Sequence, residues 1–293
     1  MATDAGLAAF ESVRPRLFGI AYRMMGTVAE AEDLVQEAWL RWQRADRDAV
    51  REPAAFLATT VTRLALTELD SARARRESYV GPWLPEPVDT SADPALGAER
   101  AEALSFAVLV LLERLTPAER ASYVLHEAFD YPYRRIAEVL ETSEANARQL
   151  GARARAHLAT ARTASVSPAE RERLLAAFVA AAQHGDLERL EAVLADDVIA
   201  LSDGGGVVSA ARKPVIGRER VAPFLLGVIE KFAADAQHVP HPYNGDIAFV
   251  SLRNGTPFAV WTLDVGVDGI RGFYNQLNPR KLSRIEAPSG QSR

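Results

Sequence analysis

The sequence contains no cysteine, so disulfides, thiolate metal sites and cysteine nucleophiles are excluded at once, and any folded unit must be held by its packed core alone. No uninterrupted apolar run approaches the roughly 20 residues needed to span a bilayer, so no membrane partner is expected. The opening stretch, MATDAGLAAFESVRPRL, lacks the basic-then-apolar layout of a secretory signal, and the expected location is cytoplasmic. An excess of positive charge is missing too: 34 Lys and Arg stand against 39 Asp and Glu, which argues against a polycation that coats nucleic acid by bulk charge. Internal repeats and low-complexity tracts are absent.

What is present is a chain of 293 residues, long enough for two domains at roughly 100 to 200 residues each. Its charge is local. Ala145 to Arg162 holds Arg148, Arg153, Arg155 and Arg162 with no acid, and Ser71 to Arg76 holds Arg73, Arg75 and Arg76 with none. Acids gather instead at Glu30, Glu32, Asp33 and Glu37.

Residues 7 to about 76 read as helix almost throughout, because apolar positions recur at helical spacing. Ala31, Leu34, Val35, Ala38, Trp39 and Trp42 share one face of a helix whose opposite face carries Asp33, Gln36 and Glu37. A third helix is expected to start near Pro53, since proline is tolerated in a first turn. The stretch SYVGPWLPEPVDTSADP, with four prolines, cannot continue it and reads as a linker. Helical patterning returns at Phe106, a capping signal stands at Thr116-Pro117 before Glu119, and two helices at Tyr133 to Leu140 and Ser143 to about Thr163 follow, with Ser143 as N-cap. After residue 168 comes one more amphipathic helix. From Val198 onward VIALS, VVSAA, IAFVSL, FAVWTLDV and GIRGFYNQL read as strands separated by turn signals, with one helix between them around Val221 to Phe232. The expected fold class is therefore multi-domain: two all-α segments followed by an α+β domain.

The helix pair at 133–163 has the layout of a helix-turn-helix, in which the second helix presents polar donors to base edges while arginines meet phosphates. Asn146, Arg148, Gln149 and Arg153 are the candidate readers. An antiparallel hairpin with a solvated arginine face has the same pattern, so this segment alone leaves both readings open. The acidic face of Asp33, Gln36 and Glu37 has its own bland reading, a solvated helix face.

The context of these segments is more specific. GTVAEAEDLVQEAWLRWQRAD resembles the conserved region-two helix of bacterial sigma factors of the extracytoplasmic-function type, and LERLTPAERASYVLHEAFDYPYRRIAEVLETSEANARQLGARARAHL resembles their promoter-binding region four. The resemblance extends to the subgroup with a fused carboxy-terminal domain similar to the cone-shaped SnoaL and nuclear-transport-factor-two-like fold. Its matching motifs are WLPEP (Trp83, Leu84, Pro85, Glu86, Pro87), DGGG (Asp203, Gly204, Gly205, Gly206) and NPRKL (Asn278, Pro279, Arg280, Lys281, Leu282).

The resemblance implies a transcription initiation factor, not an enzyme, with no cofactor or metal, that binds core RNA polymerase and promoter DNA and is expected to be monomeric when free. It assigns Asp33, Leu34, Gln36 and Glu37 to the clamp helices of the polymerase β′ subunit, and region four to the β flap. Arg63, Arg73 and Arg75 become contacts to the −10 element, and Arg134, Asn146, Arg148, Gln149 and Arg153 contacts to the −35 element. The implied domains are 1–76 for region two, 77–93 for the linker, 94–164 for region four and 168–293 for a regulatory domain acting in cis through the three motifs. Glu141 departs from the pattern, standing in the helix-turn-helix turn where the family often has glycine, as do Ala147, Glu68 and Asp70.

The third domain keeps other readings open. A pocket acting on a small ketone would draw on Asp197, Asp203, Asp246, Tyr243, Trp261, Arg271 and Asn275, a sensor would use such a pocket for a small-molecule ligand without turnover, and a regulatory domain would need only protein contacts. His238 and His241 in HVPHPY suggest a metal pair, but the prolines around them favour a turn at a strand end. Trp83 and Leu84 are too apolar to stand in water and are expected to dock on a surface of this domain.

Overall fold

The computed structural model describes residues 2–90, 104–159 and 166–288. The chain divides into two compact units: Met1–Ser78 with Val88–Thr160, and Tyr79–Pro87 with Ala161–Arg293. The segments expected as the first two domains lie in one compact unit, and the expected linker is shared between the two units. Its middle, Tyr79–Pro87, folds with the carboxy-terminal unit.

In the first unit α1 (Ala2–Met25), α2 (Val28–Arg44) and α3 (Pro53–Glu77) pack together through Leu17, Ile20, Met24, Ala31, Ala38, Leu57 and Val61, all without exposure. Each of the larger ones contributes roughly 1.5–3 kcal/mol by leaving water, the alanines less, and the alternation of apolar stripe and charged face fixes which side turns inward. Among the described residues four shorter α-helices follow, α4 (Phe106–Leu112), α5 (Pro117–Tyr123), α6 (Tyr133–Val139) and α7 (Glu144–Ala159), with a π-helical turn at Val124–Ala128 after α5. Thr116 and Glu119 form a reciprocal capping box at the start of α5. Ser143 Oγ accepts from Asn146 N at 3.2 Å, as expected of the cap of α7. Two arginines, Arg120 buried and Arg16 half-buried, join the two groups of helices. Arg120, 3% exposed, donates to Leu112 O at 2.9 Å and to Met24 O, and pairs with Glu113 at 2.6 Å. Arg16 donates to Phe129 O at 2.7 Å.

Among its described residues the second unit has a six-stranded sheet and three helices, α8 (Pro168–His184), α9 (Leu187–Val193) and α10 (Arg218–Phe232). Its strands are β1 (Leu194–Asp203), β2 (Val215–Ile216), β3 (Gln237–Tyr243), β4 (Asp246–Arg253), β5 (Thr256–Gly266) and β6 (Gly269–Gln276), in the order β2-β1-β6-β5-β4-β3. All neighbours are antiparallel except β1 and β6, which run parallel and place Ser202 beside Asn275 and Asp203 beside Gln276. Two expectations are corrected here. VVSAA is loop rather than strand, because Gly205 and Gly206 take φ of 60° and 72° and turn the chain out of the sheet. HVPHPY is the edge strand β3, where proline costs no central ladder bond. His238 and His241, three residues apart on that strand, fall on opposite faces and do not converge.

Candidate functional site

Two groups of sequence-selected residues come together, one in each unit. On α2, Asp33 and Gln36 are exposed and make no side-chain hydrogen bond or ion pair with any described residue, while Glu37 pairs with Arg41 at 3.0 Å. Leu34, 8% exposed, lies on the packed side, because the helical stripe that holds Ala31, Val35 and Ala38 inside takes it too.

The helix-turn-helix presents Asn146, Arg148, Gln149 and Arg153 along the exposed side of α7, with Arg134 exposed on α6. Gln149, Arg153 and Arg134 have no side-chain partner among the described residues. Arg148 pairs with Glu144 and lies 5.1 Å from the Tyr133 ring centre, and Asn146 Nδ2 donates to Thr142 Oγ1 at 2.9 Å. The buried side of α7 holds Ala147, Gly151, Ala154 and Leu158. Glu141 occupies the turn with φ of 52°, a left-handed conformation that explains glycine as the commoner residue there.

Two of the arginines expected at the −10 element, Arg63 and Arg75, are engaged elsewhere. Arg63 donates to Val139 O at 3.1 Å and Glu138 O at 2.8 Å, and pairs with Glu141 at 3.1 Å, so it caps the carboxy-terminal end of α6. Arg75 pairs with Glu30 at 2.8 Å and Glu68 at 3.1 Å. Hydrogen bonds from Ser71 and then Arg75 hold the Glu68 carboxyl below its usual range. The Arg73 side chain lies outside the described residues. A surface offered to DNA phosphates in this arrangement has two of its three expected cations already neutralised.

In the second unit WLPEP, DGGG and NPRKL meet around one buried carboxylate. Asp203 has no exposure. Its Oδ1 accepts from Tyr79 Oη at 2.6 Å and Gly205 N at 3.0 Å, and its Oδ2 accepts from Leu84 N at 2.9 Å and Lys281 Nζ at 2.8 Å. Gln276 Nε2 donates to Leu84 O at 3.2 Å and Pro85 O at 3.0 Å, and Asn278 Nδ2 donates to Tyr79 Oη at 2.7 Å. Lys281 Nζ also lies 4.1 Å from the Trp83 ring centre, a cation–π contact. Leu84, Pro85, Glu86 and Pro87 are buried. Burial first, and then the Asp203 carboxylate, pushes the Tyr79 hydroxyl far above its usual range, so it stays a donor. Gly205 is required, since a Cβ there would stand 2.3 Å from Asn278 Nδ2; at Gly204 it would stand 2.3 Å from Val208 O. Leu282 is buried in the small cluster with Tyr243, Val250 and Val260, whereas Pro279 is exposed.

Tyr79, Gln276 and Arg120 were not singled out from the sequence. Gln276 was within reach: its period-2 position in GFYNQL separates it from the Phe273 and Asn275 side of the strand.

Comparison with known proteins decides the family. Residues 9–75 match Sigma-70 region 2 and residues 105–158 match Sigma-70, region 4. The chain is 45% identical over 274 residues to the ECF RNA polymerase sigma factor SigJ of Mycobacterium tuberculosis, covering 90% of this chain and 83% of that one. This chain belongs to the ECF RNA polymerase sigma factors. A second relative, the probable ECF sigma factor SigI of the same organism, is 33% identical over 98% of both chains. The crystal structure of M. tuberculosis SigJ superimposes with a TM-score of 0.77 at 35% identity, covering 94% of this chain and 98% of that one. The ECF sigma factor described here is thus a transcription initiation factor and not an enzyme. Among the described residues no helix is long and apolar enough to cross a membrane.

Proposed function

We propose that this ECF sigma factor docks on the β′ clamp helices of core RNA polymerase through Asp33, Gln36 and Glu37, reads the −35 element with Arg134, Asn146, Arg148, Gln149 and Arg153, and is restrained in cis by docking of the Tyr79–Pro87 strap. Region four would meet the β flap, and the site of action is the cytoplasm, where polymerase works. The carrying observation is that the strap, which lies in the chain between regions two and four, is bound by the carboxy-terminal unit through Asp203, Gln276, Asn278 and Lys281.

Length makes that docking consequential. The −10 and −35 elements are separated by roughly 85 Å of duplex at 3.4 Å per base pair. A compact unit of about 150 residues has a radius of gyration near 15 Å. Regions two and four, packed as one unit here, cannot occupy both elements until they separate. The chain from the end of α3 at Glu77 to the start of α4 at Phe106 reaches roughly 95 Å at full extension. Holding residues 79–87 withdraws about a third of that reach. Opening also exposes Arg63, whose partners Val139 and Glu138 lie on α6.

The test is competition for core polymerase between the full chain and its Asp33→Ala/Glu37→Ala variant. The variant is expected to lose at least about tenfold in affinity with an unchanged melting temperature, since both carboxylates are at the surface. Equal affinity removes α2 as the docking face.

A further inference from the structure

The carboxy-terminal unit contains a cavity of about 500 Å³ between the sheet and helices α8 and α10. That volume is typical of sites for drug-sized molecules. Its floor is aromatic: the Trp261 and Phe273 rings lie 5.8 Å apart at 28°, and Phe178 lies 6.1 Å from Phe273 at the same inclination. A flat ring system stacks on such a floor. One polar group stands out. The carboxamide of Asn275 lines the cavity at 7% exposure, makes no hydrogen bond to any described residue, and has its Oδ1 wholly out of water. Buried amides are nearly always paired, so an orphan on a cavity wall points to a partner that occupies the cavity.

The charge pattern narrows the occupant. Lys231 and Arg253 are exposed, and Arg253 is already paired with Asp235 at 3.2 Å. The remaining titratable group on the wall is His238, whose Nδ1 lies at hydrogen-bond distance from Ser251 Oγ, 2.9 Å, and accepts from Trp261 Nε1 at 3.4 Å. Burial lowers its basicity, so the inner wall is uncharged at neutral pH.

The same two strands serve the strap. Ser202 and Asn275 are register partners facing the cavity, and the next pair, Asp203 and Gln276, faces the other way and holds Leu84. The loop that follows Asp203 touches both: Val208, Ala210 and Ala211 line the cavity, while Gly206 lies against Val80 and Ala211 O against Gly81. We propose that the cavity binds an uncharged, largely apolar aromatic molecule with one hydrogen-bonding group for Asn275, and that occupancy shifts strap docking through this loop and the β1–β6 pair. The binding half stands alone; the second half rests on the strap reading above.

Neither half needs polymerase to test. The full chain is titrated with N-phenyl-1-naphthylamine, whose fluorescence rises in apolar surroundings, and the dye is displaced with 2-naphthol or its isostere 2-methylnaphthalene. Saturable dye binding in the micromolar range is expected. Asn275→Leu should shift the naphthol-to-hydrocarbon preference about tenfold toward the hydrocarbon, because only the hydroxyl can meet the carboxamide. Ala259→Phe, which fills the cavity from β5, should abolish binding; Val228→Trp on α10 replaces it if that variant does not fold. Hydrogen exchange over residues 79–87 should change about threefold on adding saturating 2-naphthol to the wild type. No saturable binding, binding indifferent to both filling variants, or a preference unmoved in Asn275→Leu overturns the site. Binding with unchanged strap exchange overturns the transmission and leaves the strap's own role standing.

Discussion

Lys281 Nζ lies 2.8 Å from Asp203 Oδ2, and the two side chains are 9% and 0% exposed. Taking both charges out of water is expensive, and the pair is tolerable because both groups have further partners: the carboxylate also receives Tyr79, Leu84 and Gly205, and the ammonium also donates to Leu84 O and stands over the Trp83 ring. Removing one partner strands the other. Lys281→Met is expected to cost about 3–5 kcal/mol in the stability of the carboxy-terminal unit and to speed hydrogen exchange across residues 79–87. With the strap released, promoter-directed initiation should rise. Unchanged exchange would mean that Lys281 does not hold the strap.

Gly205 and Gly185 provide a matched pair. Both adopt positive φ, 60° and 66°, but nothing lies within 4 Å of a Cβ at Gly185, whereas one at Gly205 would strike the Asn278 side chain. Gly185→Ala should cost about 1–2 kcal/mol from backbone strain alone. Gly205→Ala should cost clearly more and loosen Tyr79, whose hydroxyl receives Asn278 Nδ2. Equal losses by chemical denaturation would show that the three motifs are not tightly packed there.

On α7 the exposed Arg153 and Gln149 allow the proposed −35 contacts to be tested as two kinds. Arg153→Ala should weaken binding of the polymerase holoenzyme to every promoter alike and reduce the slope of log affinity against log salt by about 1, as for a lost phosphate contact. Gln149→Ala should alter the preference at one base position and leave the salt slope alone. Thermal stability should change in neither, since neither side chain is packed.

Much of this fold is written locally. The α2 stripe, the Thr116–Glu119 capping box and the Ser143 cap are short-range patterns, and the structure forms each of them. What was hidden depends on distant pairing. The parallel β1–β6 register has no local sequence signature, yet it alone brings Asp203 to Gln276 and so builds the strap site. VVSAA carries strand-like residues, but the preceding glycines turn it into loop. Arg63 is an exposed-looking cation in sequence, and only the packing of α3 against α6 shows that it is a helix cap. Leu34 was legible from its periodicity, which places it on the packed side of α2.

His238 gives a pH test. Burial holds its folded pKa below the ordinary 6.5, so the unfolded chain binds the proton more readily. Stability from this group is therefore complete above about pH 6.5 and is lost as pH falls from there through the folded value. Asp246 and Asp264, both raised by burial, act in the opposite sense, so the comparison must isolate the histidine. The melting temperature of the wild type should fall faster between pH 7 and 5 than that of His238→Gln. Parallel curves would remove desolvation of His238 as a contributor.

The central claim is that regions two and four, one compact unit in the chain by itself, must come apart to initiate transcription. The absence of cysteine makes a direct test simple, since Gln43→Cys on α2 and Ala152→Cys on α7, both at exposed positions, can be spin-labelled without competing thiols. Electron–electron distance measurement on the active doubly labelled chain should give a separation under about 40 Å when free, set by the size of the unit, and over about 60 Å in the complex with core polymerase and promoter, set by the spacing of the two elements. A single short distance that persists in a transcribing complex would contradict the account.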